Sequence, residues 1–184
     1  LLNDVPLYTS YDMFRNAIGF VPQDDIIHPE LTVDRSLLYT ARLRLPRDSS
    51  EEQVGQQVTS VIETLGLGHV SKNPVSRLSG GQRKRVSIGC ELLTKPSLLF
   101  LDEPTSGLDP STEEKLMKHF RQMTEQGQTV ILTTHILYSL DLVDMVVLLA
   151  KGRLVYFGPV KDLCAYFSTP ERRITRPIEI FDLL

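Results

Sequence analysis

The hydrophobic pattern changes character along the 184 residues. Ala17-Ile18-Gly19-Phe20-Val21 is a short apolar run closed by Pro22 and Gln23, which predicts a strand stopped by a turn. From residue 32 the apolar spacing lengthens to that of a helix. Thr32 is placed to cap a helix running through Leu37, Leu38, Ala41 and Leu45, ended by Pro46. Ser49 and Glu52 have capping-box spacing. Behind them Val54, Val58, Val61, Ile62 and Leu65 recur at helical period up to a stop at Gly66. A third helix is predicted from Ser79, carrying Val86, Ile88, Leu92 and Leu93.

The second half alternates strands and helices. Leu98-Leu99-Phe100-Leu101 is apolar throughout, as expected of a strand covered on both sheet faces. Asp109-Pro110 opens a helix with a good N-cap followed by Pro at the first helical position. Leu116, Phe120 and Met123 share a face of it, and it ends near Gly127. Thr129–Thr133 and Met145–Ala150 read as two further buried strands. Lys151-Gly152 makes a tight turn into Arg153–Phe157, a hairpin. A short helix over Val160–Phe167 and a charged, proline-punctuated connector over Thr169–Leu184 close the chain. The pattern is that of an α/β layer domain with a largely parallel sheet and a helical insertion. Ligands bind such sheets at the carboxyl ends of the strands.

Composition narrows the class. The hydrophobic fraction of 41% suffices for a core, and 23% charge is ordinary for a globular domain. A net charge of −3 argues against a general nucleic-acid binder. The basic cluster Arg83-Lys84-Arg85 reads as a solvated helix face. Two cysteines, Cys90 and Cys164, make no CxxC pattern and suit a reducing, cytosolic compartment. No run approaches the roughly 18 apolar residues of a membrane span. The start, Leu1-Leu2-Asn3-Asp4, has no initiator Met and reads as the interior of a longer polypeptide.

Candidate chemistry clusters after the strands. Asp102 and Glu103 follow an apolar strand directly, where an Asp can hold Mg²⁺ and a neighbouring carboxylate can take a proton from an attacking water. A capping Asp before Pro104 is the plainer alternative. Leu78-Ser79-Gly80-Gly81-Gln82 puts bare backbone N–H groups at a helix N-terminus, suited to an anion, or to a flexible turn with a Ser cap. His135 follows Thr133-Thr134 at the end of the next strand and could reach a γ-phosphate or orient water. Gln23 could ligate Mg²⁺ through its carbonyl or position water. Ser106-Gly107-Leu108-Asp109 is a loop with an N-cap, whatever else it does.

Together these five sites resemble the ATP-binding domain of ABC transporters. Leu78–Gln82 is similar to the signature sequence and Leu98–Asp102 to a Walker B strand. Gln23 resembles the Q-loop glutamine, Ser106–Asp109 the D-loop and His135 the switch histidine. GFVPQDD at Gly19–Asp25, RKRVSIG at Arg83–Gly89 and EPTSGLD at Glu103–Asp109 resemble the G-type (White-like) members. The likeness is nearest to bacterial ones in which the ATPase domain precedes an ABC-2-type membrane domain, sometimes after a forkhead-associated domain. The signature departs from many G-type members by having LSGGQ where they have VSGGE.

The resemblance implies a partial P-loop NTPase (RecA-like) core with an inserted α-helical signature subdomain. The implied segments are residues 1–25, the end of an N-terminal core portion with the Q-loop, and 26–94, the helical subdomain. Residues 95–158 would be the core with Walker B, D-loop and H-loop, and 159–184 a final helix and connector. It implies ATP and Mg²⁺ as cofactors, with Glu103, His135 and Gln23 in hydrolysis. Asp102 and Gln23 would serve the metal, and Ser79, Gly80, Gly81, Gln82 and Asp109 the nucleotide. The implied partners are a second ATP-binding domain, paired head to tail, and an ABC-2-type membrane domain, which the likeness places in the same polypeptide; nucleic acid is not among them. The implied place is the cytoplasmic face of the cell membrane, in export. No GxxxxGK[ST] occurs in the 184 residues, so the chain by itself is expected to be unable to bind ATP normally and to be inactive. The rival readings are a soluble ABC ATPase with no transport role and a catalytically inactive regulatory module. The first would carry a long coiled-coil insertion or a tandem ATPase domain.

Overall fold

The structure, a computed structural model, describes residues 4–6, 8–14, 17–135, 137 and 139–183. Leu1–Asn3 and Leu184, assigned above to the opening stretch and the tail, lie outside the described residues. The chain divides into two units, Leu1–Thr134 and His135–Leu184.

In the first unit a short helix α1 (Tyr11–Phe14) leads to strand β1 (Ile18–Val21). Helices α2 (Val33–Arg44), α3 (Glu51–Thr64) and α4 (Gly80–Leu92) follow. Strand β2 (Leu98–Asp102), helix α5 (Pro110–Glu125) and strand β3 (Thr129–Thr133) complete it. The strands form a parallel sheet in the order β1-β2-β3, in register at Val21↔Leu101 and Asp102↔Thr133.

The helical periodicity becomes the packing of the insertion. Val33, Leu37 and Ala41 of α2, Val54, Val58 and Val61 of α3, and Val86, Ile88 and Leu92 of α4 are all buried. Each such Val, Leu or Ile side chain contributes about 1.5–3 kcal/mol by leaving water. Gly89 lets the helices close: a Cβ there would lie 3.1 Å from Leu65 Cδ1 and Val61 Cγ1 and 3.2 Å from Leu37 Cδ2. Glu91 of α4 binds Arg44 through both oxygens, at 2.5 and 2.9 Å, and Oε2 also accepts from the Phe20 N–H at 3.3 Å. That pins the helical insertion to β1.

Several expectations are corrected. The capping box is Ser50–Gln53, not Ser49–Glu52: Ser50 Oγ accepts from Gln53 N–H at 3.2 Å and Gln53 Oε1 accepts from Ser50 N–H at 2.8 Å. Ser49 instead closes a turn by donating its N–H to Pro46 O. Ser50→Ala is therefore expected to lower unfolding stability by about 1 kcal/mol in a denaturant titration. Ser49→Ala should cost clearly less. Thr32 occupies the N-cap position of α2 without a side-chain cap bond; its hydroxyl donates to Asp34 Oδ1 at 2.5 Å. The basic cluster is not solvated. Lys84 is only 5% exposed, Arg83 donates to Leu78 O at 3.1 Å and Arg85 to Leu65 O at 2.8 Å. The cations satisfy backbone carbonyls at chain turns and helix ends.

Nor is the sheet covered on both faces by the described residues. Gly19, Val21, Leu99 and Leu101 are buried, while Phe20 and Ile131, in one row across the strands with Phe100, are 58% and 48% exposed. The expected buried strand Thr129–Thr133 is thus exposed at alternate positions.

In the second unit β4 (Met145–Ala150) and β5 (Arg153–Pro159) form an antiparallel hairpin. Its turn is Lys151-Gly152, both left-handed (φ 49° and 73°), as a two-residue hairpin requires. The strand β4 is not fully buried either: Met145, Val147 and Leu149 are exposed on one face. Its other face, Val146 and Leu148, packs with Tyr156 and Leu163. The segment Val160–Phe167 is a 3-10 turn, Val160–Asp162, running into helix α6 (Leu163–Phe167). The tail read as a connector is folded: Ile174 and Ile180 join the same core, and a 3-10 helix spans Pro177–Leu183.

Candidate functional site

Parallel register brings three strand ends to one edge of the first unit's sheet. The Gln23 loop leaves after β1, Asp102-Glu103 end and follow β2, and Thr133 ends β3. At that edge one hydroxyl does two jobs. Thr133 Oγ1 donates to Asp102 Oδ1 at 2.5 Å and accepts from the Glu103 N–H at 3.0 Å. Glu103 sits at φ 44°, in the left-handed region that non-glycine residues avoid. Such a residue costs on the order of 1–3 kcal/mol and persists where its surroundings fix it. Here the Thr133 bond holds its N–H, and its carbonyl accepts from Ser106 N–H at 3.1 Å. The chain therefore leaves the strand at Glu103 with both backbone groups committed, and Pro104 and Thr105 buried behind it. Thr133 was missed in the sequence. Its signal is that β2 and β3 have equal length and pair Asp102 with Thr133.

The signature segment caps α4. Ser79 is its N-cap: Ser79 Oγ accepts from Gln82 N–H at 3.3 Å, and Gln82 Oε1 accepts from Ser79 N–H at 3.0 Å. The two glycines have different reasons. Around a Cβ placed on Gly80 nothing lies within 4 Å, so this turn of backbone faces open space. A Cβ on Gly81 would lie 2.5 Å from Leu108 Cδ2, so Gly81 admits the loop Ser106–Asp109 against α4. Asp109 caps α5, accepting from Thr112 N–H at 3.1 Å. The Thr112 hydroxyl and N–H hold its carboxyl below the usual carboxylate range. Any nucleotide contact of Gln82 or Asp109 is thus additional to a capping role already in place. His135 is exposed and opens the second unit; within the first unit the Gln23 loop, Asp102 and Glu103 come to one sheet edge.

These residues fit a phosphate and Mg²⁺. At Gly80 the backbone at the positive end of α4's dipole faces open space that a phosphate can approach. Asp102 offers a hard oxygen donor already oriented by Thr133. Among the described residues there is no cluster of three His, Cys, Asp or Glu side chains that could hold a metal. Mg²⁺ is bound by one or two carboxylates together with substrate phosphates, the kind of donor that Asp102 supplies.

The sequence pattern of the ABC transporter family matches residues 1–106. Over 83% of its length the chain is 47% identical to the ABC transporter ATP-binding/permease protein Rv1747 of Mycobacterium tuberculosis. It is 44% identical over 95% of its length to ABC transporter G family member 28 of Arabidopsis thaliana. With the mouse broad substrate specificity ATP-binding cassette transporter ABCG2 it shares 41% over 85%. It spans 18%, 17% and 25% of the length of these three relatives. Among solved structures, cbiO1 of Clostridium perfringens, part of the ABC transporter complex cbiONQ, superposes with TM-score 0.73. That match has 30% identity and covers 85% of this chain and 62% of that one. The ATP-binding cassette MJ0796, in a dimeric post-hydrolysis state bound to ADP and Pi, gives 0.74 at 26% identity, over 86% and 69%. The fold is that of a P-loop NTPase. The chain belongs to the ABC transporter family, as an ATP-binding domain with relatives in its G family.

Proposed function

We propose that these residues hydrolyse ATP to drive export through an ABC-2-type membrane domain in the same polypeptide, working at the cytoplasmic face of the membrane. The observation that carries the reading is the Asp102–Thr133–Glu103 link, which orients the Asp102 carboxylate and holds the backbone of Glu103 at a strand end. ATP supplies the bond to be broken, and Mg²⁺ the positive charge that offsets its phosphate oxygens. Asp102 holds the metal with Gln23, Glu103 takes the proton of the attacking water, and His135 orients that water. The Gly80-Gly81 backbone behind the Ser79 cap closes over the nucleotide of a second, head-to-tail copy, with Gln82 and Asp109 fixing its geometry. The segments 1–25, 26–94, 95–158 and 159–184 then serve as core portion, helical subdomain, catalytic core and C-terminal element. Among the described residues no helix is long and apolar enough to cross a membrane.

The test is ATP-dependent phosphate release by the natural protein and by its Thr133→Val variant. Valine removes the hydroxyl, freeing the Glu103 N–H and loosening Asp102. Turnover is expected to fall about tenfold or more with the KM for ATP kept, since two hydrogen bonds of about 0.5–1.5 kcal/mol each are lost. No phosphate release by the natural protein contradicts the proposal.

A further inference from the structure

The Gln23 loop has little of its own to hold it. Outside the β1–β2 ladder no backbone–backbone hydrogen bond engages residues 23–27 among the described residues. What meets it is Lys84, one turn and a half into α4 and 5% exposed. Its Nζ donates to Gln23 O at 2.5 Å and to Pro22 O at 3.1 Å, and lies 3.4 Å from Asp25 Oδ1. That carboxylate oxygen is buried and takes no hydrogen bond among the described residues. A lysine ammonium has three N–H donors, and here three oxygens of one loop surround it. Burying a charge is costly unless it is paired and hydrogen-bonded, so the pairing sets the loop's position rather than decorating it. Gln23 keeps its side chain exposed while its carbonyl is tied down.

We propose that Lys84 is a positioning residue that locks the Gln23 loop to α4, so that the loop and the N-terminus at Ser79 move as one piece. This rests on the roles proposed above for Gln23 at its own nucleotide and Ser79 at the partner copy's. Under that reading a shift of α4 on closure over one nucleotide displaces the loop serving the other. Lys84 thereby couples the two sites through a single buried cation.

The experiment places a nitroxide at Ile26→Cys, a position 83% exposed, in the natural protein with Cys90 and Cys164 replaced by Ser. Lys84→Met is expected to sharpen the nucleotide-free spectrum. Asp25→Asn, which leaves α4 untouched, should sharpen it less and keeps the test open if the Met variant does not fold. Lys84→Met should also lower kcat about tenfold while the KM for ATP stays within about threefold, the pattern of lost transition-state alignment rather than lost binding. An unchanged spectrum in the folded variants overturns the anchoring. A sharpened spectrum with unchanged kcat overturns the positioning role. The nitroxide arm uses no nucleotide, so it decides the anchoring even if the hydrolysis reading fails.

Discussion

Glu103→Gln in the natural protein is expected to retain ATP binding and to lower turnover by about 10²–10³-fold, the scale of general base catalysis. The substitution keeps the size and removes the ability to accept a proton. The local geometry survives it: the Glu103 N–H still donates to Thr133 Oγ1, its carbonyl still accepts from Ser106, and Asp102 keeps its bond to Thr133. An amide at φ 44° is no harder to accommodate than a carboxylate, because both share the same backbone strain. Loss of turnover with folding and binding preserved therefore isolates the proton transfer. Measured phosphate release near the natural rate would remove Glu103 from the role of base.

The second large effect is at Gly80. Its Cβ position meets nothing within 4 Å, so Gly80→Asp leaves the packing of α4 untouched and the melting temperature close to natural. The carboxylate itself suits the positive end of a helix dipole. It would, however, fill the space proposed for the partner's γ-phosphate with a like charge. Turnover should fall by about 10²-fold or more, as when a preorganised donor set for phosphate charge is lost. Gly81→Ala makes the contrast. There the new Cβ lies 2.5 Å from Leu108, so the loop Ser106–Asp109 must shift against α4. If Gly80→Asp melts at a sharply lower temperature, its glycine serves the fold and the assignment is wrong.

What the sequence discloses and what it hides divide by range. Caps, glycine stops and helical periods are local, so α2, α3, α4 and α5 and the Asp109 cap were readable. Even there the box at Ser50–Gln53 slipped by one, because Ser49-Ser50 and Glu52-Gln53 satisfy the pattern twice and only the turn over Pro46 chooses. The five motif segments were legible because each sits at a strand end or helix start. Thr133 and Lys84 were not, since their roles depend on partners 30 and 61 residues away. A hydrophobic run also cannot say how many of its faces are covered, which is why β4 reads as buried and is exposed at Met145, Val147 and Leu149. The tail's prolines and charges conceal Ile174 and Ile180, two anchors too sparse to show a period.

The central claim is that one copy's Ser79-Gly80 turn completes the site built on the other copy's Asp102 and Glu103. It is tested most directly by co-expressing the two inactive variants, Glu103→Gln and Gly80→Asp, and measuring ATP hydrolysis by the mixture. In a mixed head-to-tail pair the intact Gly80 of the first variant faces the intact Glu103 of the second, restoring one site of two. With random pairing the mixture should recover up to about a quarter of the natural rate, as a two-fold arrangement of shared sites requires. A mixture as inactive as its two components would contradict the account.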